Sequence, residues 1–291
     1  METIINKGLR NTPVDGRDFQ FGQVYQLPEL SELPTEYKTR DPLGIKNQFG
    51  SDLCSSFAVC AVSEDQELTP LSPEYQFART KEITGDPLSW GADLRSAAKS
   101  VVKAGSITVE DLPEQFRLKA DNSNRDFIAA WNNWPHELEK KAGIYFKQSY
   151  FSIGNSPDVF STMKQVLWAN RREERSILTG VLWQNQWTGA EKGVINYDNG
   201  HSSFGHAIKI YGWRNDYLIA QLSNGNAIGD NGRFYFHKDV VNRQFRFGGF
   251  TFKDMPREDV KWYIDNKMKV SDSWLKQIII SLSNILKRYG R

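Results

Sequence analysis

The sequence is poor in several features that often identify a protein at once. Only two of its 291 residues are cysteine, which excludes a scaffold held together by several disulfides. Its 37 basic and 35 acidic residues leave a net charge of +2, so charge gives no reason to expect a nucleic-acid partner. No run of 18 apolar residues occurs, and the sequence therefore predicts no transmembrane helix.

Motifs for bound groups are also missing from the sequence. The chain has no GxGxxG or Walker pattern, the signatures of dinucleotide and nucleotide-phosphate binding. Its histidines, cysteines and acidic residues do not fall at the spacings of a zinc site. We therefore predict neither a cofactor nor a metal ion.

The two cysteines, Cys54 and Cys60, lie six residues apart in a segment that we predict to be helical. At a rise of about 1.5 Å per residue their Cα atoms are roughly 9 Å apart, whereas a disulfide needs less than about 7 Å. Both thiols are expected to be free, which suits a reducing compartment. The first 16 residues also lack the apolar core of a signal peptide. We therefore expect a cytoplasmic location.

Helical patterns precede strand patterns along the chain. Helices are predicted over about 52–67, from a Ser72 cap and Pro73 onward, and over about 92–102. Alternating segments that indicate strands follow at 176–183, 206–213, 217–223 and 233–237. This order predicts an α+β protein with two packed subdomains.

Cys54 stands at the start of the first predicted helix, behind Ser51 and Asp52, either of which could cap that helix. The free N–H groups and the positive end of the helix dipole favour a thiolate there. Because only the thiolate attacks a carbonyl carbon, this position suits a nucleophile. The alternative is a small buried apolar residue, and that is our interpretation of Cys60.

The string KNQFGSDLCSSFA, from Lys46 to Ala58, resembles the active-site segment of the papain-like (C1 family) cysteine peptidases. The resemblance implies that Cys54 is the nucleophile and that Gln48, six residues before it, belongs to the oxyanion hole. A glutamine amide and the backbone N–H of the cysteine can supply two of the donors that a tetrahedral oxyanion needs.

A second string, FGHAIKIYGW from Phe204 to Trp213, resembles the histidine strand of the same family and implies that His206 is the general base. The resemblance covers about residues 8–250 in the family's order, with segments that look like bacterial and phage-type members. It implies a papain-like fold with a helical left half, an antiparallel, β-barrel-like right half, and a cleft between them.

The third catalytic position departs from the family pattern. Family members carry Asn-Ser-Trp-Gly, where the Asn orients the imidazole and the Trp shields it, whereas this chain has LSNG at 222–225, besides Ser55 in place of a Trp after the nucleophile. Leu222 cannot accept the N–H of His206. Asn224 has the same strand parity about 6.6 Å further along, so a bulge could bring its amide to the histidine, while Gln221 points to the opposite face.

An amphipathic segment, residues 271–291, lies beyond the resemblance. Its apolar residues recur at spacings of three and four, which predicts a helix. The helix packs on the protein's own body or anchors it to a protein assembly or a membrane surface. The predicted organisation is an extended arm at 1–40, a papain-like domain at 41–255 and a C-terminal extension at 256–291.

Two functions are consistent with these observations. The first is a cysteine peptidase, weakened at its third position, that cleaves a polypeptide substrate through a thioester at Cys54 with His206 as base. The second is a papain-fold binding or structural protein of a larger assembly, such as a virion, in which catalysis is vestigial. Gln48, Cys54 and His206 favour the enzyme, whereas Leu222, Asn224 and Ser55 favour the second function. A viral source would make the protein virion-associated.

Overall fold

A computed structural model of the chain describes residues 8–12, 15–87, 89–130, 135–154, 156–201 and 204–254. The predicted C-terminal extension at 256–291, including its amphipathic helix, lies outside these residues. Among the helices that are described, none is long and apolar enough to cross a membrane.

The described residues form eight α-helices, most of which precede the main strands, as the sequence predicted. They are α1 (Phe21–Val24), α2 (Cys54–Glu67), α3 (Pro73–Thr84), α4 (Leu94–Lys103), α5 (Arg125–Ala130), α6 (His136–Ala142), α7 (Val159–Ala169) and α8 (Lys238–Gln244).

The second half of the described chain supplies most of a single eight-stranded sheet. Its strands are β1 (Glu36–Lys38), β2 (Lys147–Ser152), β3 (Ile177–Trp183), β4 (Val194–Ile195), β5 (Phe204–Arg214), β6 (Tyr217–Gln221), β7 (Arg233–His237) and β8 (Gly249–Asp254).

The sheet is mixed and is not closed. Its strand order is β2-β8-β3-β5-β6-β7-β4, and β1 pairs with β5 outside that path. Neighbouring strands are antiparallel except β4 and β7, which are parallel. The predicted α+β class is confirmed, and the right half differs from a wholly antiparallel barrel because β4 returns alongside β7 in the same direction.

Local sequence explains the start of the helices that pack against α2. The Ser72 hydroxyl accepts a hydrogen bond from the Tyr75 N–H, and Pro73 is the first residue of α3, as predicted. The Asp93 carboxylate accepts from the Ser96 N–H in the same way at α4. These caps fix where each helix begins in the chain.

The central helix is α2, and every residue from Cys54 to Asp65 is buried. Its side chains are mostly small, which allows helices on one side and the sheet on the other to pack close to its axis. It ends where Leu68 adopts a left-handed conformation with φ of 57°. Because α2 is enclosed along most of its length, its position is tightly determined by its neighbours.

Two apolar clusters lie on opposite faces of β5. Ile208 and Ile210 pack in a large cluster with residues of α7, α8 and the other strands. Ala207 points the other way and packs with Cys54 of α2 and with residues of α4. This alternation is the two-residue period of a strand, and it makes β5 the wall between the sheet core and the helical half.

Candidate active site

Cys54 is the first residue of α2, and the N-cap position before it is held by Leu53, which makes no side-chain capping bond. The predicted cap by Ser51 or Asp52 is therefore wrong. The Ser51 hydroxyl instead donates to the backbone oxygen of Gln48 at 2.6 Å. Asp52 forms an ion pair with Arg125 at 3.6 Å, so each of the two side chains has a partner outside α2.

The thiol of Cys54 is fully buried. Burial raises its pKa to about 12, while the backbone of Ala207 lowers it to a smaller extent. The helix start alone favours a thiolate, but here the loss of water outweighs it. With this burial the cysteine is a neutral thiol, whereas its position at the start of a helix had predicted a thiolate.

His206 lies near the start of β5, where it pairs with Val181 of β3. Its imidazole is also fully buried, and burial lowers its pKa to about 3, while the side chain of Asn224 raises it to a smaller extent. The indole of Trp183 meets the imidazole edge to face, with ring centroids 6.0 Å apart and an interplanar angle of 73°. The histidine is thus neutral and enclosed.

Asn224, rather than Gln221, is the polar side chain that adjoins His206. Leu222, at the position of the family's asparagine, is buried in the sheet core. Gln221 donates from its side chain to the Gly44 oxygen at 3.2 Å, away from the histidine. Among the described residues, neither amide atom of Asn224 and neither imidazole nitrogen has a hydrogen-bond partner of normal geometry, so the two side chains are neighbours without a formed bond.

The loop that carries Gln48 pairs with the residues after β6. The Gln48 N–H donates to the Ser223 oxygen at 2.7 Å, and the Gly225 N–H donates to the Lys46 oxygen at 3.0 Å. Asn47 and Asn224 form the antiparallel bridge between these two bonds. This pairing brings Gln48, Ser223 and Asn224 to one edge of the site.

The side chain of Gln48 is held at both ends of its amide. Its oxygen accepts from the Ser223 hydroxyl at 2.5 Å, and its nitrogen donates to the Ser51 oxygen at 2.8 Å. Ser223 therefore fixes which end of the amide carries the donors. The N–H₂ group is directed toward the Ser51–Cys54 turn, which is the side on which an oxyanion hole would form.

The segment Gly8–Arg10 covers the thiol. The Ala92 N–H donates to the Gly8 oxygen at 2.9 Å, the Arg10 N–H donates to the Ala92 oxygen at 3.1 Å, and the Leu9 N–H donates to the Gly205 oxygen at 3.4 Å. Leu9 packs in the same apolar cluster as Cys54. The segment thus bridges the helical half and the strand of His206.

The approach of this segment explains the glycines that line it. A Cβ atom at Gly8 would overlap the backbone oxygen of Asp52, and one at Gly205 would lie 3.0 Å from the Leu9 oxygen and 2.7 Å from the Phe247 ring. Larger residues at either position would push the segment away from the site.

Sequence reasoning missed four contributors to this site: Ser223, Trp183, the backbone of Ala207, and Leu9. A signal existed for Ser223, because it lies inside the LSNG string next to the candidate orienter. Strand parity could have placed Trp183 on the face of His206. No local pattern indicated Leu9, since its contact with the cysteine helix spans more than forty residues of sequence.

The part of the chain that the structure describes contains no group of three or more His, Cys, Asp or Glu side chains that could hold a metal ion. The candidate residues Cys54, His206, Gln48 and Asn224 supply instead a thiol, an imidazole and two primary amides, and neither imidazole nitrogen has a hydrogen-bond partner among the described residues. Such a set can perform nucleophilic and general acid–base chemistry with hydrogen-bond stabilisation of an oxyanion.

The fold is similar to that of solved cysteine proteases. Xylellain, a cysteine protease from Xylella fastidiosa, matches 86% of this chain and 96% of its own with a TM-score of 0.70 and 17% identity. The bromelain protease from Ananas comosus, solved in complex with the E64 inhibitor, matches 77% of this chain and 100% of its own, with a TM-score of 0.58 and 18% identity.

Digestive procathepsin L 3 from the larval midgut of Tenebrio molitor matches 85% of this chain and 76% of its own, with a TM-score of 0.61 and 15% identity. The sequence itself matches no protein-family model and no curated protein. At sequence identities of 15–18%, the similarity to these structures shows a shared fold. The chain has the papain-like α+β fold found in these cysteine proteases, and the fold predicted from the sequence is confirmed.

Proposed function

We propose that the protein is a cysteine peptidase that hydrolyses peptide bonds through a thioester at Cys54. One observation carries the proposal: the start of α2 and the start of β5 meet, because Cys54 packs in one buried cluster with Ala207, the residue that follows His206. Gln48 and Asn224 stand at the edge of the same site. These are the residue types that acyl transfer to a thiol requires.

In the proposed first step, His206 takes the proton of the Cys54 thiol and the sulfur attacks the carbonyl carbon of the substrate. The negative oxygen of the tetrahedral intermediate accepts from the Gln48 amide nitrogen and the Cys54 backbone N–H. The imidazolium then gives its proton to the leaving amine, the C–N bond breaks, and a thioester remains on Cys54.

Water completes the reaction. His206 removes a proton from the water as it attacks the thioester, a second tetrahedral intermediate forms, and the C–S bond breaks. The carboxylic product leaves, and the proton held by the imidazole returns to the Cys54 sulfur. Asn224 serves in this scheme as the group that orients the imidazole, in place of the asparagine that Leu222 replaces.

The substrate of this scheme is an extended polypeptide. The groove between Ala92 and Gly205 already accepts an extended backbone, that of Gly8–Arg10, through three main-chain hydrogen bonds. Main-chain pairing of this kind is a general means of holding a peptide strand. The described arrangement is then a closed form, and Gly8–Arg10 leaves the groove before a substrate enters.

The proposal is tested by incubating the protein with a denatured polypeptide substrate and measuring the peptide fragments that are released. We expect the full-length chain to cleave the substrate, the Leu9→Asp variant to cleave it faster, and Cys54→Ser to abolish cleavage in both backgrounds. Cys60→Ser is the matched control, because it removes the other buried thiol of α2, and it should retain activity. Cleavage that survives Cys54→Ser, or no cleavage by either active-site-intact chain, would contradict the proposal.

A second function has support of its own. Leu222 fills core space where an orienting amide would stand, and the amide of Asn224 has no partner of normal geometry among the described residues. These features favour a papain-fold binding or structural component of a larger assembly, in which the site is vestigial. If the Leu9→Asp variant folds but cleaves no substrate, the result would favour this second function over the peptidase.

A further inference from the structure

Three buried ion pairs connect lysines from different parts of the chain to the C-terminal end of α2. Each lysine side chain is at least three-quarters buried, and each joins a separate acidic residue of the helix. The pairs are Lys46–Glu64, Lys147–Glu67 and Lys209–Asp65. Only Lys209 belongs to the strand that carries His206.

Lys209 is held by two acceptors on α2. Its ammonium group lies 2.5 Å from the Asp65 carboxylate and donates to the Ala61 backbone oxygen at 3.0 Å. The two side chains are 1% and 3% exposed. A charge pair this deep in the protein loses its hydration, so its geometry must be met closely for the pair to be tolerated.

The position of Lys209 on β5 connects it to the site. Ala207 and Lys209 are two residues apart and so lie on one face of β5, which meets Cys54 and Ala61 of α2. His206 lies on the other face, where its ring contacts Trp183 of the sheet core. Ala207 packs in one buried cluster with Cys54 at the start of the helix. Lys209 meets Ala61 and Asp65 two and three turns further along it. The helix of the thiol is thus attached to the strand of the imidazole at two separated points.

We propose that Lys209 and Asp65 are positioning residues, which fix the place of α2 along β5 and so set the approach of Cys54 to His206. This inference rests on the proposed peptidase function. Apolar packing is not directional, and a smooth helix face of small residues tolerates displacement along the strand. A lysine with one carboxylate and one backbone oxygen as acceptors has a single matching position on the helix.

The chain supplies a matched control for this role. Lys147 of β2 pairs with Glu67 at 2.6 Å and with Asp254 at 3.1 Å, and its side chain is fully buried. It joins the same end of α2 to a strand that carries no candidate site residue. Loss of this pair should therefore affect stability in a similar way without moving the thiol relative to the imidazole.

The test compares two double variants of the full-length chain, Asp65→Leu with Lys209→Met and Glu67→Leu with Lys147→Met. Replacing both members of a buried pair by apolar residues of similar volume avoids a buried unpaired charge and preserves folding. Asp254, the second partner of Lys147, is 38% exposed, so its carboxylate stays in contact with water. Melting curves check the fold, and peptide hydrolysis gives kcat and KM. We expect the first double variant to lose about 10- to 100-fold in kcat at little-changed KM, as small misplacements of reacting groups do, and the second to keep wild-type kcat.

Wild-type kcat in the first double variant, or an equal loss in both, would overturn the inference while leaving the peptidase function intact. Absence of activity in both the wild-type chain and the Leu9→Asp variant would instead contradict the function itself. If the first double variant does not fold, Asp65→Glu decides the matter, because it keeps the ion pair but lengthens it by one methylene. We expect reduced kcat at unchanged KM from Asp65→Glu, and unchanged kcat would overturn the positioning role.

Discussion

Leu9 and Cys54 pack in one buried apolar cluster, although 45 residues of sequence separate them. The thiol is fully buried in this cluster, and burial raises the pKa of Cys54 to about 12. The segment Gly8–Arg10 therefore contributes to the high pKa of the Cys54 thiol. Its departure would return water to the sulfur and let the helix start favour the thiolate.

The first prediction concerns the covering segment. Leu9→Asp places a carboxylate in the apolar cluster and removes the burial of a leucine, which is worth about 1.5–3 kcal/mol. We expect Cys54 in this variant to react with iodoacetamide at neutral pH about tenfold faster or more, since roughly 1.4 kcal/mol corresponds to a factor of ten. Phe19→Asp is the control, because Phe19 is 65% exposed, and equal rates in all three chains would contradict the prediction.

The second prediction concerns pH and stability. His206 stays neutral in the folded chain down to about pH 3, whereas its ordinary pKa is 6.5. Between these values the unfolded chain binds a proton that the folded chain does not, so the free energy of unfolding falls as pH falls. The effect is about 1.4 kcal/mol for each unit of pKa difference.

Urea unfolding at several pH values measures this contribution. His206→Gln should lack it, so the stability gap between wild type and variant should change steadily from pH 6.5 toward pH 3. The exposed His201 provides a control, and His201→Gln should follow the wild-type curve. Parallel curves for wild type and His206→Gln would show that the histidine is not buried in its neutral form.

The third prediction concerns the orienting group. Asn224→Ala should lower kcat for peptide hydrolysis by about tenfold or more at similar KM, because an unrestrained imidazole spends less time in a productive orientation. Gln221→Ala removes a neighbouring amide that bonds Gly44 instead, and it should leave kcat unchanged. Equal kcat for Asn224→Ala and wild type would remove Asn224 from the mechanism.

The fourth prediction separates oxyanion stabilisation from thiol reactivity. Gln48→Ala should lower kcat for peptide hydrolysis by about 100- to 1,000-fold, the usual effect of losing one oxyanion donor. Alkylation of Cys54 by iodoacetamide forms no tetrahedral oxyanion, so its rate should hardly change. Ser223→Ala, which frees the Gln48 amide to rotate, should cause a smaller loss of kcat. An equal loss in hydrolysis and alkylation would mean that Gln48 acts through the fold.

Much of the architecture could be predicted because its signals are local. The Ser72 cap with Pro73 gave the start of α3, and alternation gave β3, β5, β6 and β7 within one or two residues. The edge strand β2, with the polar sequence KQSYFS, was not predicted, because an edge strand needs no continuous apolar face. The pairing partners of all strands are long-range features that no local pattern specifies.

Part of the candidate site could also be predicted, because some of its signals are local in the sequence. Gln48, Cys54 and His206 could be found from strings of neighbouring residues. The protonation of the thiol could not, because it depends on a covering segment that reaches Cys54 only in the folded chain. The helix caps at Ser51 and Asp52 failed likewise, since each side chain has a competing partner, the Gln48 oxygen and Arg125.

The most direct test of the central claim is covalent labelling with an electrophilic peptidyl thiol probe. Mass mapping of the labelled full-length chain and of Leu9→Asp locates the modified residue. We expect one label per chain, at Cys54. The rate of labelling should be higher in Leu9→Asp than in wild type, and labelling should be lost in His206→Ala and retained in Cys60→Ser. A folded Leu9→Asp chain that takes no label at Cys54, or one that labels at the same rate without His206, would contradict it.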